Sequence, residues 1–242
     1  MRVDRRHWCL GAAGLLAGCG ALPLRREPRP SVLPPLVGEA AAWQPHVMRR
    51  DRELTIYEPV ERDGRQAMHA VAQRSTSGLR CDVDIDPRAT PWLTWEWRVD
   101  HFPEGATVAE DERDDSPARV VVSFDGDEAA LAPRDRMFRE MVEFLTGTVL
   151  PFATLMYVWD GQVPAEKVVA YPRTGRVQYL VVESGTARSG RWLGYRRNVV
   201  EDYRRVFGGE PGRIRHVGLL ADSDDLKLRT ESWFANLGFS AA

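Results

Sequence analysis

The residues best equipped for chemistry are Glu96 and Arg98, Asp114 and Asp115, Arg119, Tyr157 and Trp159. Carboxylates and guanidiniums give a hydroxyl-rich ligand paired, directional hydrogen bonds, while a phenol or indole ring can stack on the C–H face of a sugar. If neighbouring strands carry these groups on one polar face, they make a glycan-binding surface. The same pattern also reads as a salt-bridge ladder backed by buried tryptophans. Glu96 and Asp115 would further serve as acid and base for glycoside cleavage if they stood about 5 to 10 Å apart, a distance that spacing along the chain does not fix.

Other chemistry is excluded by inspection. The chain has no glycine-rich phosphate loop, no G-x-S-x-G elbow and no H-E-x-x-H helix. His46, His69, His101 and His216 are scattered, without ligand spacing. Asp82, Asp84 and Asp86 fail as a calcium loop, because Pro87 and Leu93 stand where glycine and glutamate are needed. Asp222, Asp224 and Asp225 follow the apolar run 217–221 as strand-end carboxylates for a hard cation, with Asp222 and Asp224 the candidate ligands of a structural calcium. No other cofactor is expected. The set describes a non-catalytic binder of a glycan or other envelope component, with an envelope hydrolase or a protein scaffold as alternatives.

Strands must position these groups. Leu79, Cys81, Val83 and Ile85 alternate with Arg80, Asp82, Asp84 and Asp86, and Leu93, Trp95, Trp97 and Val99 alternate with Thr94, Glu96 and Arg98. Period-two patterning of this kind marks half-buried strands with cysteine and tryptophan inward. Eight further segments repeat it: 54–58, 68–74, 118–124, 154–159, 168–171, 177–183, 214–221 and 233–239. About ten strands predict a mainly β, jelly-roll-like sandwich of two sheets. Two helices interrupt them. Pro133 to Leu145 predicts an amphipathic helix docked through Met137, Phe138, Met141, Val142 and Leu145, and Asn198 predicts the N-cap of a helix that stops at Phe207.

The amino end reads as an export signal. Arg2, Arg5 and Arg6 precede the apolar stretch 8–17, which is too short to span a bilayer, and Leu16-Ala17-Gly18-Cys19 resembles a bacterial lipobox. Cys19 is thus the expected lipidation site, and Gly20 after it points to the outer membrane. The paired arginines also suit twin-arginine export. Five prolines between Ala21 and Val37 predict an extended tether, so the expected divisions are a leader over 1–19, a tether over 20–37 and one domain over 38–242. The leader holds three of the 33 basic and one of the 35 acidic residues, which leaves 30 against 34, a net charge of -4. That balance excludes nucleic acid as a general partner. The expected partners are the membrane, through the lipid, and a glycan or envelope protein.

Several segments together carry a family resemblance: Leu93-Thr94-Trp95-Glu96-Trp97-Arg98-Val99, then Asp114-Asp115 before Ala118-Arg119-Val120, then Leu155-Met156-Tyr157-Val158-Trp159, Asp202-Tyr203 before Phe207-Gly208, and Val217 to Asp225. In this order they resemble the bacterial Domain of Unknown Function 3047 family across most of residues 50 to 240. The resemblance implies no activity. Its strand order and tryptophan pattern are similar to galactose-binding-like jelly rolls, which implies a fold only. Asp222-Ser223-Asp224-Asp225-Leu226 departs from the D-x-D-x-T run that the resemblance would place there.

Overall fold

Alternation between apolar and polar residues gives each strand one face to bury, and two sheets satisfy that need by closing on each other. The computed structural model describes residues 32–38 and 42–241. Its strands are β1 (Gln44–His46), β2 (Ile56–Arg62), β3 (Arg65–Gln73), β4 (Thr76–Ile85), β5 (Trp92–His101), β6 (Arg119–Phe124), β7 (Ala153–Asp160), β8 (Val168–Ala170), β9 (Val177–Ser184), β10 (Leu193–Asn198), β11 (Ile214–Asp222) and β12 (Arg229–Ser240). One sheet has seven strands in the order β1-β4-β11-β6-β7-β9-β8, and the other has five in the order β10-β5-β12-β3-β2. The expected two-sheet sandwich is therefore present, with β1 and β10 added to the ten strands legible in the sequence. Pairing is antiparallel except between β7 and β9.

The space between the sheets holds the residues that alternation had turned inward. Trp95, Trp97 and Trp159 are at most 2% exposed and join Leu79, Cys81, Val83, Val120, Val122, Leu155 and Leu219 in one core. Trp95 and Trp97 meet edge to face at 5.5 Å, and Tyr195 stacks on Trp95 at 5.2 Å. The four edges are β1 and β8, three residues each, β2, which carries Pro59, and β10. Pro45 occupies the middle of β1.

Helix α2 (Val199–Phe207) begins as expected, with the Asn198 side chain accepting from the backbone of Val200 and Glu201. It buries Val199, Val200 and Tyr203 at one end of the sandwich, where Tyr203 packs edge to face on Phe124. Helix α1 (Pro133–Thr146) is where expected but is turned differently. Asp135, Phe138, Arg139 and Val142 face the body, and Met137, Met141, Phe144 and Leu145 are 66, 48, 88 and 70% exposed. The polar members of the docked stripe fix this choice: Asp135 accepts from Thr174 and Gly175, and Arg139 pairs with Glu128 at 2.6 Å. Among the described residues no helix is long and apolar enough to cross a membrane.

Cys19, the leader and residues 20–31 of the expected tether lie outside the described residues. The tether's last part is not a spacer. Leu33 and Leu36 are buried in the main core, and the Trp43 indole donates to the Pro35 carbonyl at 3.1 Å. Proline content suggested an extended segment, but the apolar residues between those prolines give it a surface to bury.

Candidate functional site

The residues singled out by type and spacing separate into three places. Tyr157 and Trp159 belong to the core, because Ala153, Leu155, Tyr157 and Trp159 form the inward face of β7. Their polar atoms are satisfied internally: the Tyr157 hydroxyl donates to Asp202 at 3.0 Å and the Trp159 indole to the Gly185 carbonyl at 2.8 Å. Neither ring faces a ligand.

Glu96 and Arg98 lie on the outer face of the five-stranded sheet. Glu96 accepts from Arg65 at 2.7 Å and from Asn236 at 2.8 Å, and the Arg65 guanidinium holds its carboxyl below the usual range. Arg98 binds Asp100 at 2.5 Å and Asp63 at 3.0 Å. This is the salt-bridge ladder that the sequence offered as an alternative. Because β5 and β6 belong to different sheets, Glu96 and Arg98 lie on one outer face of the sandwich and Arg119 on the other.

The remaining residues do converge, on the outer face of the seven-stranded sheet. Arg119 pairs across the ladder with Leu220, so Asp222 lies two residues along on the same face. The Arg119 guanidinium donates to both Asp222 oxygens, at 2.9 and 3.0 Å, and to the carbonyl and side chain of Asp114 at 2.7 and 2.8 Å. Tyr179 covers the group and donates to Asp114 at 2.6 Å. Burial pushes the Asp114 and Asp222 carboxyls up, against the pull of Arg119. Asp115 caps the following turn, accepting from the backbone of Asp225 and Leu226 at 3.1 and 2.7 Å.

The expected cation donors lie in different surroundings. Asp222 is engaged through both oxygens by Arg119, whereas carboxylate oxygens of Asp115, Asp224 and Asp225 lie within 4.8 Å of one another. An all-oxygen set suits a hard cation. Asp224 also accepts from Arg52 at 2.9 Å. Burial, then the neighbouring Asp224 and Asp115, push Asp225 up to about 6.

A second feature of the same sheet face was not anticipated. An open groove of about 740 Å³ runs beside β4 and β11, lined by Arg80, Asp82, Asp84, Arg215 and His216, with Asp125 and Glu128 at its far end. Its lining also includes Arg139 and the segment from Gly147 to Phe152 that follows α1. A volume between about 300 and 1,000 Å³ is usual for a small-molecule site.

A family model described as "Protein of unknown function (DUF3047)" matches residues 41–238. The chain belongs to this family. No protein with a curated description matches the sequence. Among solved structures, this DUF3047 chain is similar to a family 11 carbohydrate-binding module from Clostridium thermocellum in complex with a β-1,3-1,4-mixed-linked tetrasaccharide, with 8% identity, 89% of this chain and 97% of that chain covered, and a TM-score of 0.43. It is also similar to the xyloglucanase domain of NopAA, a type three effector from Sinorhizobium fredii, in complex with cellobiose, with 7% identity, coverage of 78 and 91%, and a TM-score of 0.38. At these values nothing about a ligand carries over.

Within the DUF3047 domain, Arg80, Asp82 and Asp84 of the groove belong to the polar side of the 79–86 alternation. The missing signal was the partner strand. His216 pairs with Asp82 across the ladder, and a bulge between Ile214 and His216 places Arg215 against Asp84. Bulges re-aim side chains in this way.

Proposed function

We propose that the protein is an exported, lipid-anchored, non-catalytic domain that binds a glycan or another cell-envelope component in the groove beside β4 and β11. The groove itself carries this reading. Its lining offers several forked donors and acceptors, Arg80, Asp82, Asp84 and Arg215, together with the apolar Val149, Leu150 and Pro151. A pyranose presents the complementary pair of surfaces, hydroxyls at its rim and C–H groups on its face. The leader, Cys19 and the small residue after it support export and acylation to the outer membrane.

The reading puts the binding surface in the groove rather than on the faces that carry Glu96, Arg98 and Arg119. The test is binding by the full chain to a glycan array and to envelope fractions. Arg215→Ala is expected to weaken binding at least tenfold, while Arg98→Ala, on the opposite sheet, leaves it unchanged. Loss in Arg98→Ala with normal binding by Arg215→Ala would reject the assignment. Metabolic labelling with a fatty acid, abolished by Cys19→Ser, tests the anchor separately.

A further inference from the structure

The charges of the groove define the kind of ligand it accepts, an inference that rests on the binding reading above. Its lining contains the guanidiniums of Arg80, Arg139 and Arg215 against the carboxylates of Asp82, Asp84, Asp125 and Glu128. Each guanidinium already faces a carboxylate. Arg80 stands 3.3 Å from Asp82, and Arg139 stands 2.6 Å from Glu128. Arg215 reaches Asp84 at 2.6 Å and Asp125 at 2.7 Å, and Arg213 at the rim also takes Asp84, at 2.5 Å. His216 lies 3.5 Å from Asp82.

An anionic ligand would have to displace one of these carboxylates while meeting the field of the others. Placing like charges together costs several kcal/mol. An uncharged hydroxyl needs no displacement. A carboxylate offers about four lone-pair directions and a guanidinium five N–H groups, so a pair already formed keeps capacity for further neutral partners. A hydroxyl can accept from one member and donate to the other at the same time. The lining adds Val149, Leu150 and Pro151, which favour a C–H surface and carry no charge.

We infer that the groove takes a neutral glycan and discriminates against polymers bearing uronate, sulfate or phosphate. Affinity electrophoresis of the full chain through gels containing laminarin, dextran or hydroxyethyl cellulose, and through matching gels containing alginate, polygalacturonate or heparin, tests the inference. At least one neutral polymer is expected to retard the protein, with affinity changing less than about twofold between low and high salt, because no counterions are released. Val149→Glu, at a position 51% exposed, is expected to weaken that retardation about fivefold while thermal unfolding stays unchanged. Asp84→Asn, which leaves Arg213 and Arg215 with a neutral neighbour, should shift preference toward the acidic polymers.

Stronger retardation by acidic polymers, or a steep fall with salt, would overturn the neutral specificity and leave the groove as a glycan site. Retardation by none of the six, together with blank glycan-array and envelope tests, would reject the groove as a glycan site altogether.

Discussion

Arg119 grips Asp222 with two hydrogen bonds of 2.9 and 3.0 Å on a sheet face where both side chains are shut away from water. Removing one member of such a pair leaves a buried, uncompensated charge, which costs about 3 to 5 kcal/mol. Arg119→Ala is therefore expected to lower Tm by roughly 10 °C, since about 1 kcal/mol moves a domain of this size by 2 to 4 °C. Arg119→Met combined with Asp222→Leu is expected to recover more than half of that loss. Thermal unfolding of the three variants makes the comparison, and a double variant as unstable as the single one would contradict it.

Asp225 gives stability a pH dependence of unusual sign for a carboxylate. Its proton leaves near 3.8 in the unfolded chain and at about 6 in the folded one, so between these values the native state holds more protons. Stability should fall as pH rises through that window and level off above it. Asp114 and Asp115 are shifted in the same direction, mainly by burial. Asp225→Asn is expected to be more stable than the parent at pH 7.5 by on the order of 1 kcal/mol, less than the full shift would give because solvent screens the site. At pH 4 the two proteins should unfold alike.

Leu36 belongs to the folded body although it follows a run of prolines. Leu36→Ala is expected to cost about 2 to 3 kcal/mol in denaturant unfolding. Val32→Ala, at a position 73% exposed, should change stability by less than about 0.5 kcal/mol.

The orientation of α1 is checked in the same way. Phe144, 88% exposed, is expected to tolerate replacement by serine within about 0.5 kcal/mol. Phe138→Ala, on the docked stripe, should cost about 2 kcal/mol, some half of a fully buried aromatic. Equal losses at the two positions would mean that the helix sits as the sequence first suggested.

These comparisons show what the sequence exposes and what it hides. Alternation told which residues of β5 face inward, and Trp95 and Trp97 do so, because a half-buried strand needs only a local pattern. It could not tell which sheet a strand joins. Glu96 and Arg119 both read as outward and polar, yet two outward faces exist and they occupy different ones. Within α1, the apolar residues do not by themselves fix which side docks, and hydrogen bonds with residues outside the helix, Asp135 accepting from Thr174 and Arg139 donating to Glu128, select it. The capping of α2 was legible because Asn198 and its partners lie within three residues. By contrast, Asp114 and Asp115 on one side and Asp222 and Asp224 on the other form separate groups in the sequence, and the pairing of β6 with β11 brings them to one place.

Two imino acids bear on how the molecule behaves among its own copies. Pro45 and Pro59 interrupt one rim of each sheet, each lacking the main-chain donor that other residues carry. An incoming strand meets a broken row of partners along β1 and β2, so edge-joined assembly through those two strands is disfavoured.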